Sequence, residues 1–276
     1  MSKAILTLSS KNYGAWALRG WLMAKLVRLE FTENVISPDD PSMRAEMLLL
    51  SASMRVPSLN HEGVHVWDTL AMGEYLNEVK PKAGLLPVDR AARAHCRAIC
   101  GEMHSGFSAL RASLPMNIKA HFQDFNIWSR AQTDIDRILV IWHECLSQYG
   151  GPYLFGKKPC MADAMFAPVV TRFLTYDVKL DVACQAYSDV IMALPEMKEW
   201  ISAALIEPDE IDELDAELEA ALGALHEFDF VDTRDLIEQL GHHRRHPVKM
   251  AGPRRAAQPF ADHGRRGPAL GGLVRL

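Results

Sequence analysis

The chain has 276 residues, 49% of them hydrophobic and 24% charged, with a formal net charge of −5. That is the balance of a globular protein of one large or two ordinary domains. It excludes a collagen-like or low-complexity fibre, and no run is long and apolar enough for a membrane helix. The N-terminal stretch "MSKAILTLSS" does not read as a signal peptide, and the five cysteines form no metal-binding spacing; both fit a reducing, cytoplasmic setting.

Ala4 to Leu8 is a short apolar run and reads as a buried strand. It leads into the polar loop Ser9, Ser10, Lys11, Asn12 and Tyr13, after which Trp16, Leu18, Trp21, Leu22 and Leu26 recur at helical spacing. A strand that turns through hydroxyls and amides into a helix exposes unpaired N–H groups where the helix dipole is positive, a place suited to an anion or to a simple cap. Trp16 and Trp21 read as core, and Arg19 as structural and close to a domain interface. Glu30 to Ile36 suits a second strand, and "SMRAEMLLL" from Ser42 an N-capped helix. "RVPSLNHEGVHVW" reads as a hairpin turning over Asn60, His61, Glu62 and Gly63. Asp68 opens another helix through Leu70, Met72, Tyr75, Leu76 and Val79. The order βαβαββα over 1–80 predicts a compact α/β domain.

"PKAGLLPVD" is a linker, placed at 81–87. Beyond it, 88–206 reads as helical. Ala92, Cys96, Ile99, Met103, Phe107 and Leu110 predict one long amphipathic helix stopped near Pro115. Further helices are predicted over 127–149, over "CMADAMFAPVVTRFLTY" and over 194–205. Cys96 and Cys100 share a helix face and read as small buried apolar residues. An acidic helical extension follows at 207–241. The segment 242–276 reverses the charge, with arginine pairs at 244–245, 254–255 and 265–266 against the single acid Asp262. Its few large apolar residues predict disorder. Only Phe260 is interleaved among the arginines, so nucleic-acid binding is not the expectation.

Three local features converge: the opening loop and helix, the strand-initial proline of "RVPSL", and the helix start in "WDTLAMGEYLNE". With "GLLP" and the helical second half, the chain resembles the cytosolic glutathione transferases over about residues 4–206. More narrowly, it is similar to proteobacterial members carrying "SSKNYSSWSLR" and "TMADAMYAPVVTRF", which are distantly like the zeta, or maleylacetoacetate isomerase, class. The resemblance implies a thioredoxin-like N-terminal domain followed by an all-α domain, a homodimer, and glutathione as co-substrate without a metal.

It also implies residue roles. Val56–Pro57 matches the family's cis-proline turn, where the backbone of Val56 pairs with the cysteinyl part of glutathione. Asp68 and Thr69, at a helix start, match the grip on the γ-glutamyl ammonium and carboxylate; Asp68 also reads as a plain N-cap. The opening loop matches the place that holds the sulfur, whose thiol pKa of about 8.5 must fall for attack. There Gly14 and Ala15 replace the relatives' Ser-Ser, and Asn12 falls at the catalytic serine, with Ser10 and Tyr13 as neighbouring donors; a bare helix cap is the alternative. Met103, His104 and Phe107 are candidates to line the electrophile site. Cys160 to Asp163 matches the family's Ser/Thr-x-x-Asp capping box, with cysteine as a weak cap. The implied activity is addition of glutathione to a small electrophile or glutathione-dependent isomerisation; the alternative is a non-catalytic binding or scaffold module.

Overall fold

The computed structural model describes residues 4–36 and 56–207, all within one unit, Met1–Asp209. The helix expected from Ser42, the acidic stretch beyond Glu207 and the basic tail lie outside the described residues.

The first half is a four-stranded sheet in the order β2-β1-β3-β4. Strand β1 (Ala4–Leu8) runs parallel to β2 (Phe31–Val35) and antiparallel to β3 (Ser58–His61), which pairs antiparallel with β4 (Val64–Trp67). The β3–β4 turn is tighter than the sequence suggests. Asn60 and His61 stay in β3, and only Glu62 and Gly63 turn, both at positive φ (51° and 82°). Two consecutive positive φ values follow the right-handed twist of the flanking strands.

Helix α1 (Ala15–Leu26) is buried through most of its length, with Ala17, Leu18, Trp21, Leu22 and Met23 sealed from solvent. Gly20 lets it approach the sheet side: a Cβ there would sit 2.7 Å from Pro57 Cγ. Helix α2 (Thr69–Val79) is N-capped by Asp68. The linker makes a 3₁₀ turn at Pro81–Ala83 and is then pinned. Leu85 and Leu86 are buried, Leu85 C=O accepts from Met161 N–H at 2.8 Å, and Leu86 N–H donates to Asn77 Oδ1 at 3.3 Å.

The second half is helical: α3 (Arg90–Ser105), α4 (Ser108–Ser113), α5 (Ser129–Tyr149), α6 (Met161–Thr175), α7 (Val182–Ala193) and α8 (Pro195–Ile206). Helix α6 is its axis, buried at nearly every position and packed against α1, α3 and α7. Asp163 fixes its start. The buried carboxylate accepts from Cys160 N–H at 2.8 Å, Leu154 N–H at 3.0 Å and the Tyr187 hydroxyl at 3.2 Å. Burial raises its pKa, and these donors hold the charged form against that cost.

One expectation needs correction, and one helix has no counterpart in the sequence reading. The long helix expected through Leu110 breaks at Gly106 and Phe107, the latter left-handed at φ 58°. Arg111 folds back to donate to the carbonyls of Met103 and His104, and Asp134 accepts from Leu110 N–H at 2.9 Å, so the groups freed by the break are satisfied. Helix α7 was not predicted. Its buried positions are Cys184, Tyr187, Ser188 and Ile191, a stripe too polar to stand out as apolar periodicity.

Candidate functional site

A cleft of about 280 Å³ is lined by Trp16, Val56, Pro57, Asp68, Thr69 and His104. The sheet and the helix starts assemble it. Trp16 stands in the first turn of α1, Val56–Pro57 leads into β3 through a cis peptide bond, Asp68 and Thr69 begin α2, and His104 lies in the last turn of α3.

The polar groups at the cleft are incompletely paired. Asp68 Oδ1 accepts from Leu70 N–H at 2.8 Å and Ala71 N–H at 3.5 Å, while Oδ2 lies 3.1 Å from His104 Nε2. Thr69 is 1% exposed, yet among the described residues its Oγ1 has no hydrogen-bond partner, and His104 Nδ1 is likewise buried without one. A buried hydroxyl left unpaired in a native fold calls for a partner, which a water, an ion or a ligand can supply. Asp68 adopts φ 75°, an uncommon conformation for a residue with a side chain, and such positions concentrate at ligand sites.

Trp16 is half-buried and open to the cleft, not sealed in the core as Trp21 is. The His104 ring meets it edge-on at 5.0 Å, and the guanidinium carbons of Arg19 and Arg111 lie 4.3 and 5.2 Å from its ring centre. Arg19 is fully buried, donating through Nε to Met165 C=O at 2.8 Å and through a terminal nitrogen to Met103 Sδ at 3.0 Å. Burial, and repulsion from Arg172 and Arg111, pull its pKa well down. Burial and then Arg111 lower Arg172 to about 10. These cations give the interior beside Trp16 a positive field, and Arg111 carries a buried Nε with no acceptor among the described residues.

The opening loop is arranged differently from the sequence reading. Ser10 Oγ donates to Glu207 Oε2 at 2.8 Å, and the same carboxylate accepts from Lys11 N–H at 2.9 Å and Asn12 N–H at 3.0 Å. The loop does hold an anion, and that anion is the chain's own Glu207 at the end of α8. Ser10 Oγ also accepts from Asn12 N–H and Tyr13 N–H at 3.1 and 3.2 Å. Asn12 is fully buried and accepts from Lys119 N–H at 3.0 Å; its Nδ2 has no partner among the described residues. Tyr13 is half-buried. None of the three lines the cleft. Met103 and Phe107 are also outside it, buried in the core at 1% and 7% exposure. Of the candidate residues, the structure brings Val56, Pro57, Asp68, Thr69 and His104 together.

Sequence reasoning missed Trp16 as a cleft residue, and missed Arg111 and Glu207 as its surroundings. Glu207 had no local signal, because its partners lie nearly two hundred positions away. A larger cleft, about 730 Å³, lies between the C-terminal ends of α1 and α2 beside Lys158 and Pro159; its walls hold none of the unpartnered polar atoms. Among the described residues one group could hold a metal. Atoms of His143, Asp181 and Cys184 fall within 4.8 Å of one another, with His143 Nε2 already on Asp181 Oδ2 at 2.8 Å.

A mixed four-stranded sheet with a cis-proline before its third strand, joined to a helical half, defines a thioredoxin-like domain followed by an all-α domain of the glutathione-transferase kind. Residues 13–79 match the family model for the glutathione S-transferase N-terminal domain. Maleylacetoacetate isomerase of Rattus norvegicus is 27% identical over 179 residues, covering 64% of this chain and 82% of that protein. Among solved structures, a glutathione transferase homologue from Burkholderia with bound glutathione aligns at a TM-score of 0.57 and 22% identity, covering 74% of this chain and 98% of that one. Maleylacetoacetate isomerase of Anaeromyxobacter dehalogenans with glutathione in its active site aligns at 0.54 and 20%, covering 76% and 99%. Residues 13–79 thus form a glutathione S-transferase N-terminal domain, in a chain similar to the maleylacetoacetate isomerases.

Proposed function

We propose that the chain binds glutathione in the cleft of Trp16, Val56, Pro57, Asp68, Thr69 and His104, and uses its thiolate either to attack a small electrophile or to catalyse a double-bond isomerisation. The observation that carries this reading is the buried, unpartnered Thr69 Oγ1 beside Asp68 at the start of α2. A helix start with one free hydroxyl suits a carboxylate, and the adjacent Asp68 suits an ammonium. The γ-glutamyl end of glutathione carries both. Val56 then faces the cysteinyl backbone, and the thiol comes to lie toward Trp16 and the cations beside it, whose field favours thiolate over thiol.

The reading also divides the chain at 80 and 88 into a glutathione-binding domain and a helical domain, with an acidic extension and a basic tail beyond 206. It includes a homodimer in the cytoplasm, acting on reactive electrophiles in detoxification, and requires no metal. Light scattering of the purified protein tests the dimer.

A second reading, a non-catalytic binding or scaffold module, is favoured by one observation. Ser10 is spent on Glu207, and Asn12 is sealed against Lys119, so the loop expected to hold the sulfur is engaged elsewhere. Titration calorimetry with glutathione, alongside turnover of an aryl halide and a maleylacetoacetate analogue, separates the two. Thr69→Ala is expected to weaken binding about ten-fold or more, the value of one hydrogen bond to a charged group. Unchanged affinity in that variant overturns the placement of the γ-glutamyl group. Binding without turnover supports the module.

A further inference from the structure

Two helices bring three different metal-ligating side chains together outside the cleft. His143 lies in the second half of α5, Asp181 is the N-cap of α7, and Cys184 lies in the first turn of α7. One ligand atom from each, a ring nitrogen, a carboxylate oxygen and the sulfur, fall within 4.8 Å of one another. None of the three lines the cleft. Asp181 divides its carboxylate. Oδ1 accepts from Ala183 N–H at 2.9 Å and Cys184 N–H at 3.2 Å, which caps the helix, and Oδ2 meets His143 Nε2 at 2.8 Å. Capping therefore uses one oxygen and leaves the other on the side of the histidine. The His143 and Asp181 side chains are 49% and 44% exposed, whereas Cys184 is fully buried. A bare ion arriving from solvent meets the open pair first and the sulfur behind it.

We propose that the His143 imidazole, the Asp181 carboxylate and the Cys184 thiolate bind one zinc-class divalent ion, with water as a fourth ligand, and that the ion ties α5 to the start of α7. A mixed set of nitrogen, oxygen and sulfur suits zinc and its neighbours rather than magnesium or calcium, which take oxygen. The spacing fits such an ion. Zinc holds nitrogen and oxygen at about 2.0–2.2 Å and sulfur at about 2.3 Å, so tetrahedral ligand atoms lie about 3.5 Å apart. The nitrogen–oxygen pair at 2.8 Å opens by under about 1 Å, and the sulfur, already within 4.8 Å of both, closes by about 1 Å. Binding breaks the S–H bond, forms a metal–sulfur bond and releases the proton to solvent. One thiolate and one carboxylate then offset the ion's two charges, at the helix end whose dipole favours negative ligands. The site is independent of the glutathione reading, and the two fail separately.

The test uses the full chain, reduced and stripped of metal, with cobalt(II) as the spectroscopic probe. Thiolate-bound cobalt gives a near-ultraviolet charge-transfer band that histidines elsewhere, such as His242, His243 and His246, do not produce. The parent is expected to develop this band, saturating at an equimolar amount of cobalt, and to lose it to zinc but not to magnesium. Cys184→Ser should abolish the band, and Cys145→Ala, which removes a different buried thiol, should keep it. His143→Ala changes an exposed residue and should weaken cobalt binding about ten-fold or more, at least the loss that follows from disturbing a ligand's own partner. That variant decides the matter if Cys184→Ser does not fold. Zinc should also raise the melting temperature of the parent more than that of His143→Ala. A parent without the band, a band that survives in Cys184→Ser, or parental affinity in His143→Ala overturns the site. An equal zinc response in the two melting curves overturns the tie between the helices.

Discussion

The Ser10 hydroxyl donates to the Glu207 carboxylate at 2.8 Å, joining the loop before α1 to the last described residue after α8. Trp200 Nε1 donating to Lys11 C=O at 3.0 Å, and Lys119 Nζ donating to Glu207 C=O at 2.7 Å, brace the same junction. Three segments distant in sequence thus meet at Glu207, its carboxylate holding the opening loop and its backbone carbonyl holding Lys119.

Glu207→Ala is expected to cost about 2 kcal/mol, because hydrogen bonds to a charged group contribute roughly 1.5–3 kcal/mol and the Lys11 amide loses its acceptor, while Asn12 N–H keeps Ser10 Oγ. Ser10→Ala should cost less, and the two losses should not add, since they remove one shared interaction. Urea unfolding of both single variants and the double variant measures this; strict additivity would sink the coupling. Ser10→Ala should also leave the pKa of bound glutathione unchanged. A rise of a unit or more in the ultraviolet thiolate titration would return Ser10 to the chemistry.

Asn12→Ala removes the acceptor of Lys119 N–H inside a sealed environment. An orphaned buried donor costs about 1–3 kcal/mol, so the variant should melt several degrees lower. Asn12→Asp restores an acceptor but buries a charge, and should be no better than Ala at neutral pH. If both variants melt like the parent, the Lys119 contact contributes nothing.

Acid should loosen the start of α7. Partial burial opposes ionisation of Asp181, but hydrogen bonds from Cys184 N–H, His143 and Ala183 N–H outweigh it and hold the carboxyl at about 2. A pKa lowered by folding contributes stability that is present above about pH 4, the range of a free aspartate, and is lost as pH falls toward 2. Asp181→Ala should cost about 1 kcal/mol at pH 7, as loss of an N-cap does. It should also flatten the stability profile between pH 4 and 2, measured by denaturant midpoints.

The five cysteines are all buried and unbonded. Burial, with neighbouring carboxylates and thiols, pushes Cys145 and Cys184 up to about 12. Native protein should therefore leave an aromatic disulfide reagent unreacted over minutes, while guanidinium exposes five thiols. Fast labelling of even one thiol in the native state contradicts this.

The architecture was legible because periodicity reports which face of an element is buried, and Ala4–Leu8, the α1 stripe and the Asp68 cap are local patterns. The heart of the cleft was legible for the same reason: Val56–Pro57 and Asp68–Thr69 are short motifs set at the edges of elements. What escaped depends on contacts across the chain. The break at Gly106 is stabilised by Arg111 reaching back to two carbonyls, which no apolar stripe encodes. Trp16 and Trp21 look alike in sequence, and only the third dimension turns one to the cleft and seals the other. Ser10 and Asn12 were read for what their side chains can donate, but their partners, Glu207 and Lys119, were settled by packing.

Gly20 meets Pro57 with no side chain between them. The wall of the cleft therefore leans on bare helix, and there is no cushion to absorb a change on either side. A methyl group at position 20 would be felt as a displaced proline before it was felt as a strained helix. The shape of the cleft wall and the seating of α1 are in this way written into a single contact. A drift that improves the one is constrained by the other, and variants that widen the cleft are to be sought at its other lining residues, Trp16 and His104.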